Sequence, residues 1–377
     1  MLLRIFLSLL FLLPLSLSAQ SPAVPTPPTG NASSYILADY HSGRVLAEKN
    51  PGEELEPASL TKMMTTYAAG EELKAGHISL DDEVRISEKA WRMKGSRMFV
   101  EVDTRVSVEA LINGIVIQSG NDASVALAEH ISGSEEAFAQ LMNQHAARLG
   151  MKDTHFENST GMPAPSHITT AHDMAILAKS LIRDHPELYD LHAVKEYTYN
   201  DISQPNRNQL LWRDSSVDGI KTGHTEAAGY CLVASAKRED MRLISIVMGA
   251  DSSKARTSFS QSLLEYGFRF YDTRQIAQGG HKLGKARVWK GASDSLSYGV
   301  NENLYVTVAR SKADTLEEEI EIGEPLVAPV EQEQVIGSIS VTSGDEVLVK
   351  QPLVAFDAVD LGGIFHRLMD SFWLMLE

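Results

Sequence analysis

The sequence predicts an α+β domain, built as an antiparallel sheet with helices, followed by a small all-β sandwich and a C-terminal amphipathic helix. Three observations carry this. Strand-like runs lie at both ends of the first 270 or so residues, with helical periodicity between them. From about residue 280, short strand-like runs alternate with turn residues. The last segment segregates apolar from polar residues around a helical wheel. With 377 residues, 43% of them hydrophobic, the chain has room for two or three domains and a sizeable core. A net charge of -16 excludes a broad nucleic-acid surface and suits solubility.

The elements follow in order. Arg4 precedes an apolar run from Ile5 to Leu15, with small residues at Ser16, Ser18 and Ala19, so 1–19 reads as a secretory signal peptide. The run is short of the ~20 residues of a membrane span. Two cleavage patterns compete, Ser16-x-Ser18 and Leu17-x-Ala19. Residues 20–31, with Pro22, Pro25, Pro27 and Pro28, read as a linker. Tyr35 to Asp39 and Arg44 to Glu48 flank a His41-Ser42-Gly43 turn and predict a hairpin. A second hairpin is predicted from Tyr230 to Ala236 and Leu243 to Gly249. Between them, helices are expected near 59–75, 106–117, 122–131, 136–149 and 170–184, with another from about Arg256 to Tyr266. Strands at both sequence ends imply that the terminal segments share one sheet, and the first domain is placed at 32–272. The runs 286–289, 304–308, 319–322, 335–339 and 347–349 make up the all-β domain, placed at 280–356.

In the tail, 360–377, one half of the wheel holds Ile364, Phe365, Leu368, Met369, Phe372, Trp373, Met375 and Leu376. His366, Arg367, Asp370, Ser371 and Glu377 fill the other half, with Leu374 the only intruder. Such a helix needs an apolar surface. It either docks on its own protein or lies in the plane of a membrane surface.

Three short motifs carry the chemistry. Ser59-Leu60-Thr61-Lys62 opens the first helix, and no other serine has a lysine three residues on. That spacing returns Lys62 to the face of Ser59, so its amine can reach the hydroxyl and act as base once burial and nearby cations lower its pKa. Alone, a serine at a helix start is commonly only a cap. Ser119-Gly120-Asn121 projects a hydroxyl and a carboxamide from one bend between helices, which otherwise reads as a plain turn. Lys221-Thr222-Gly223 sets a cation beside a hydroxyl, suited to a carboxylate, with Gly223 letting a substrate backbone lie along a strand edge. Each motif has an ordinary structural explanation alone; their conjunction in this order does not.

In these motifs the chain resembles the penicillin-binding serine enzymes, the superfamily that includes class A β-lactamases. It is most similar to the low-molecular-weight D-alanyl-D-alanine carboxypeptidases that trim peptidoglycan. The matching stretches are 57–65, 118–123, 206–212 and 217–225. The resemblance implies a β-lactamase/transpeptidase-like catalytic domain in which Ser59 attacks the terminal D-Ala-D-Ala bond with Lys62 as base. It implies that Ser119 and Lys221 pass a proton to the departing D-alanine, and that Asn121 contacts the substrate or Lys62. The backbone N–H groups of Ser59 and His224 would form the oxyanion hole. Thr222 and Arg256, with Gly223, would hold the substrate's end. Peptidoglycan stem peptides are then the substrate, β-lactam antibiotics the inhibitors, and the periplasmic face of the bacterial inner membrane the location. A β-lactamase, an endopeptidase and a non-catalytic peptidoglycan-binding scaffold are the rival readings. No equivalent of the β-lactamase deacylating glutamate is evident: Glu157 lies in the right interval but within Phe156-Glu157-Asn158-Ser159-Thr160-Gly161, which is similar to carboxypeptidase sequence. Asp173 and Arg207 are supporting candidates, against plain ion pairing. Cys231 stands in an apolar strand and reads as a buried small hydrophobe. Neither metal-ligand spacing nor a phosphate loop is present, so no cofactor or metal is expected.

Overall fold

The computed structural model describes residues 24–323 and 325–376. The segment expected as a signal peptide lies outside the described residues. The expected α+β architecture is found. Five antiparallel strands form the central sheet in the order Val45–Lys49, Ser34–Asp39, Met241–Ala250, Gly229–Arg238, Val217–Thr225. The first strand pairs with the last of the domain, Leu37 facing Ser245, so the sequence ends do meet in one sheet. Ile36, Val233, Ile244 and Ile246 pack on one face against helices Thr61–Ala75 and Ala171–Asp184. Leu37, Leu232, Leu243 and Val247 pack on the other against helix Ser253–Phe270. Both faces are covered, which is why 231–234 and 246–248 read as apolar runs rather than alternating ones.

Helix Thr61–Ala75 is buried on every side over its first ten residues and ends on Gly76 in the left-handed region. It is the axis of a helical lobe completed by Val108–Val116, Asn121–Ser132 and Glu135–Leu149. Serine N-caps at Ser107, Ser134 and Ser252 and Thr170 start four of the domain's helices, each accepting a backbone N–H three residues on. Two small two-stranded sheets, Glu83–Arg85 with Arg105–Ser107 and the hairpin Glu196–Tyr199 with Ile202–Pro205, were not expected. They are short and half-exposed, and carry little periodicity.

The domain boundaries shift. Helix Ser253–Phe270 runs directly into strand Tyr271–Ala277, which pairs with Leu304–Ala309 and belongs to the β domain. The β domain therefore starts at Tyr271 rather than 280. Its larger sheet has the order Lys282–Arg287, Ser295–Gly299, Glu346–Ala355, Val335–Ser343, Leu316–Ile322. Bridges Val330–Val359 and Gly291–Leu361 carry it past residue 356 to Leu361. The expected linker is also less free than its composition suggested: Val24 packs on the cluster under the sheet, and Tyr266 Oη donates to Pro25 O at 3.0 Å.

A buried polar joint links the two domains. Asp39, fully buried, accepts from Ser42 N and Oγ on one carboxylate oxygen and from Thr273 Oγ1 at 2.8 Å on the other. Thr307 Oγ1 lies 2.8 Å from Thr273 Oγ1 and 2.6 Å from Ser42 Oγ, and Arg44 donates to Thr307 O. Thr273→Val leaves one buried carboxylate oxygen without its donor. The expected result is a loss of about 1–3 kcal/mol in chemical denaturation.

Candidate active site

The site lies where three segments converge at the mouth of the helical lobe. The turn Ala58–Leu60 is a short 3-10 helix that leads into Thr61–Ala75 and leaves Ser59 half-buried. Lys62, one turn on, is fully buried, and its Nζ lies 3.1 Å from Ser59 Oγ. Two further acceptors complete its surroundings: Asn121 Oδ1 and Thr160 O, both at 2.6 Å. A neutral amine has two hydrogens and one lone pair. Two carbonyl oxygens take the hydrogens and leave the lone pair for the Ser59 hydroxyl. Burial pulls the Lys62 pKa down to about 7, the carboxylate of Asp122 opposes this, and the Arg207 guanidinium adds to it.

The Asn121 amide is fixed by its other end, where Nδ2 donates to Lys94 O at 2.7 Å. Ser119 adopts a positive φ of 61°, and the bend is held by Asn121 N on Ser96 O and Gly120 N on Gly114 O. Next to it, buried Asp122 accepts from Met98 N, Phe99 N and Val100 N, tying the 93–100 loop to the bend. The third motif lies on strand Val217–Thr225. Lys221 Nζ, also buried, donates to Ser119 Oγ at 2.9 Å and to Thr222 O at 3.2 Å. Its pKa falls well below the ordinary lysine value through burial first, then through Lys62, Arg207 and Arg256.

The cleft has a volume of about 600 Å³. Ser59, Ser119, Asn121, Thr222, Gly223, His224, Arg207 and Arg256 all line it. No aspartate or glutamate does, among the described residues. With two arginines on its wall and two buried lysines behind it, the cleft suits an anionic substrate.

Two expectations need correction. Gly223 does not leave room for a substrate: a Cβ there would stand 3.0 Å from Pro57 O and 3.2 Å from Ala58 Cβ. Its missing side chain instead lets the strand abut the Ser59 turn, which brings His224 beside Ser59. Arg256 is largely committed elsewhere. Its guanidinium donates to Gly223 O at 2.8 Å and Cys231 O at 3.1 Å, clamping the two strands, with only its outer edge on the cleft. Arg207 is the exposed cation of the cleft, held by Nε on Gln118 O at 3.3 Å. Of the supporting candidates, Asp173 is remote and ties Asp153 N and Thr154 Oγ1 to helix Ala171–Asp184. Cys231 is buried, with its thiol pushed up to about 11. Glu157 accepts from Ser166 N and does not line the cleft.

The element that motif spacing did not supply is the 158–162 turn. Asn158 Oδ1 accepts from the N–H groups of Thr160, Gly161 and Met162, and Glu135 accepts from Ser159 N and Oγ. This presents Thr160 O to Lys62. Gly161, at φ +85°, would place a Cβ 1.8 Å from Ala58 O, so only glycine lets this turn touch the Ser59 turn. The Asn158-Ser159-Thr160-Gly161 run was its signal in the sequence. Among the described residues no group of three His, Cys, Asp or Glu side chains could hold a metal ion.

The sequence profile of the family described as D-alanyl-D-alanine carboxypeptidase matches residues 21–252. That of the penicillin-binding protein 5 C-terminal domain matches 271–361, the bounds of the β domain described above. The D-alanyl-D-alanine carboxypeptidase DacC of Escherichia coli K12 is 44% identical over 351 residues, 91% of this chain and 88% of that protein. The structure of penicillin-binding protein 5 from Haemophilus influenzae superposes with a TM-score of 0.85 at 41% identity, covering 89% of this chain and 99% of that one. Penicillin-binding protein D2 of Listeria monocytogenes, in its ampicillin-bound form, gives 0.60 at 28% identity over 65% of this chain and all of its own.

Gly161→Ala must separate the 158–162 turn from Ala58. It is expected to lower the melting temperature and to remove covalent labelling of Ser59, whereas Gly133→Ala, at a helix end with open space around it, leaves labelling intact.

Proposed function

The chain belongs to the D-alanyl-D-alanine carboxypeptidase family of serine peptidases, and on that premise we propose that it releases the terminal D-alanine of peptidoglycan pentapeptide stems through an acyl-enzyme on Ser59. The observation that carries this is the Lys62 amine, buried, with the carbonyl oxygens of Asn121 and Thr160 at 2.6 Å and the Ser59 hydroxyl at 3.1 Å.

In this reading Lys62 takes the Ser59 proton as Oγ attacks the carbonyl of the D-Ala-D-Ala bond. The oxyanion forms against the backbone N–H groups of Ser59 and His224. The departing amine receives a proton through Ser119, which Lys221 orients and recharges; the proton that Lys62 took replaces the one Lys221 gives up, so Lys62 is neutral again for the second step. Thr222 and Arg207 hold the terminal carboxylate, and Arg256 keeps the strand of Thr222 in place while offering its outer edge to the same charge. Water then hydrolyses the ester, with Lys62 again the nearest base. A β-lactam presents the same carbonyl and carboxylate and acylates Ser59. Among the described residues no carboxylate lines the cleft to serve as a second base for fast deacylation, which favours a carboxypeptidase that penicillin inhibits over a β-lactamase.

The exported location rests on the N-terminal pattern, and the attachment to the membrane on the tail. No described helix is long and apolar enough to cross a membrane. Helix Ile364–Trp373 leaves Phe365 87% and Phe372 62% exposed, along with the rest of its apolar stripe. Burying each such side chain is worth about 1.5–3 kcal/mol, ample for peripheral attachment to the periplasmic face of the inner membrane.

Incubation with a pentapeptide stem is expected to yield free D-alanine. Intact-mass analysis after penicillin should show one adduct, on Ser59, absent in Ser59→Ala. Lys62→Ala should slow acylation by roughly 10²–10⁴-fold while folding normally. An adduct on another residue contradicts the mechanism. Thr222→Val and Arg207→Ala should raise KM for peptides with a free C-terminal carboxylate, without a comparable effect on their amidated counterparts. Equal effects on both would give these residues another role.

A further inference from the structure

The C-terminal helix is fixed to the β domain by its polar face. The bridge Gly291–Leu361 and the bond from Gly362 N to Lys290 O, at 2.8 Å, pin its entry. The Asp370 carboxylate, nearly buried, accepts from Lys290 N. His366 Nε2 lies 3.1 Å from Asp294 Oδ1 and 3.5 Å from Asp370 Oδ2. Leu374, the intruder on the polar half of the wheel, lines a cleft of about 570 Å³ with Lys285, Arg287, Trp289, Ile322 and Leu326. The apolar stripe faces away from the domain, and this cleft opens beside the helix on its far side.

The cleft is cationic in a chain of net charge -16. Lys285 and Arg287 are two residues apart on the edge strand Lys282–Arg287, so they project from the same face. Both are exposed, and among the described residues neither is in an ion pair, although Lys285 stands near enough to the Asp357 carboxylate to help lower its pKa, after the Ser297 hydrogen bonds and Lys282. The Arg287 guanidinium lies 3.5 Å from the Trp289 ring centroid, which holds its fork in one orientation.

We propose that this cleft binds the phosphate of an anionic phospholipid headgroup in the same bilayer that takes the apolar face of the helix; the proposal rests on the membrane attachment argued above. A helix is about 10 Å across with its side chains. With its apolar face sunk roughly 5–10 Å into the boundary of headgroups and acyl chains, groups behind it stand level with the phosphates. Leu374 places Lys285 and Arg287 in that layer. A pre-oriented guanidinium with a lysine beside it suits a phosphate. The helix itself is sparsely basic, so the β domain supplies the charge that the helix lacks. Two fixed contacts, helix and headgroup, set the orientation of the β domain on the bilayer. The joint of Asp39, Ser42, Thr273 and Thr307 passes that orientation to the catalytic cleft.

The test is co-sedimentation of the purified exported chain with phosphatidylcholine vesicles, with and without phosphatidylglycerol, at low salt. The wild type should bind both and favour the anionic vesicles. A basic residue at an anionic surface strengthens partition by roughly five-fold. Lys285→Glu with Arg287→Glu should therefore cut the preference by at least about tenfold, keep the phosphatidylcholine binding, and keep penicillin labelling of Ser59. A wild type without the preference, or a variant that retains it, overturns the headgroup site; a cleft made for an acidic protein partner would give that result. Phe372→Glu with Trp373→Glu isolates the underlying reading. It should abolish binding to phosphatidylcholine vesicles, and undiminished binding would overturn membrane attachment by the helix whatever the headgroup result.

Discussion

An amine buried beside a serine hydroxyl is the constraint on which the rest of this structure depends. Lys62 has almost no contact with water, and its ordinary charge would be costly there. Two carbonyl oxygens and a hydroxyl surround it, a set that orients a neutral amine as base toward Ser59. Each of those groups needs its own support. Asn121 is held by Lys94 O, and Thr160 O is presented by a turn that Asn158 and Glu135 brace from both sides. That turn touches the Ser59 turn only because residue 161 lacks a side chain. Much of the lobe's buried polarity is explained as the scaffolding of one nitrogen.

The same logic extends across the cleft. Lys221 is buried behind Ser119, and burial keeps each lysine from charging fully; repulsion by Arg207 adds to this at both, and Lys62 and Arg256 add to it at Lys221. An anionic substrate relieves that repulsion on arrival. The arrangement costs stability in the empty protein. A lysine whose pKa is lower folded than unfolded binds fewer protons in the native state, so the cost is full below the folded pKa and fades as pH rises toward the ordinary lysine value. Sites of this kind exchange stability for reactivity. The sheet covered on both faces and the fully buried helix Thr61–Ala75 supply the surplus.

Much of this was legible in the sequence. The long helices showed because their apolar positions recur at helical spacing, and the catalytic motifs because their chemistry is unusual in combination. The sheet's terminal pairing followed from where strands lay along the chain. What escaped had physical reasons. The 158–162 turn acts through a backbone carbonyl, so its Asn158-Ser159-Thr160-Gly161 run marked a turn without showing what the turn does. Gly223 and Arg256 were read as facing the substrate, yet their geometry serves the strand and the turn behind it. Residues 271–277 were missed as a strand because they continue a helix without a break. Leu374 looked like an error in the wheel and proved to be the helix's contact with its own domain.

The chemistry turns on Lys62 being largely deprotonated just above neutrality in the folded protein. Its direct measurement is a heteronuclear NMR titration of the lysine side-chain amines, with Lys62→Arg identifying the resonance. A midpoint near 7, matched by a penicillin acylation rate that rises with pH below that value and levels off above it, is the expected result. A midpoint close to the 10.5 of an ordinary lysine, with acylation still fast at neutral pH, would contradict the account.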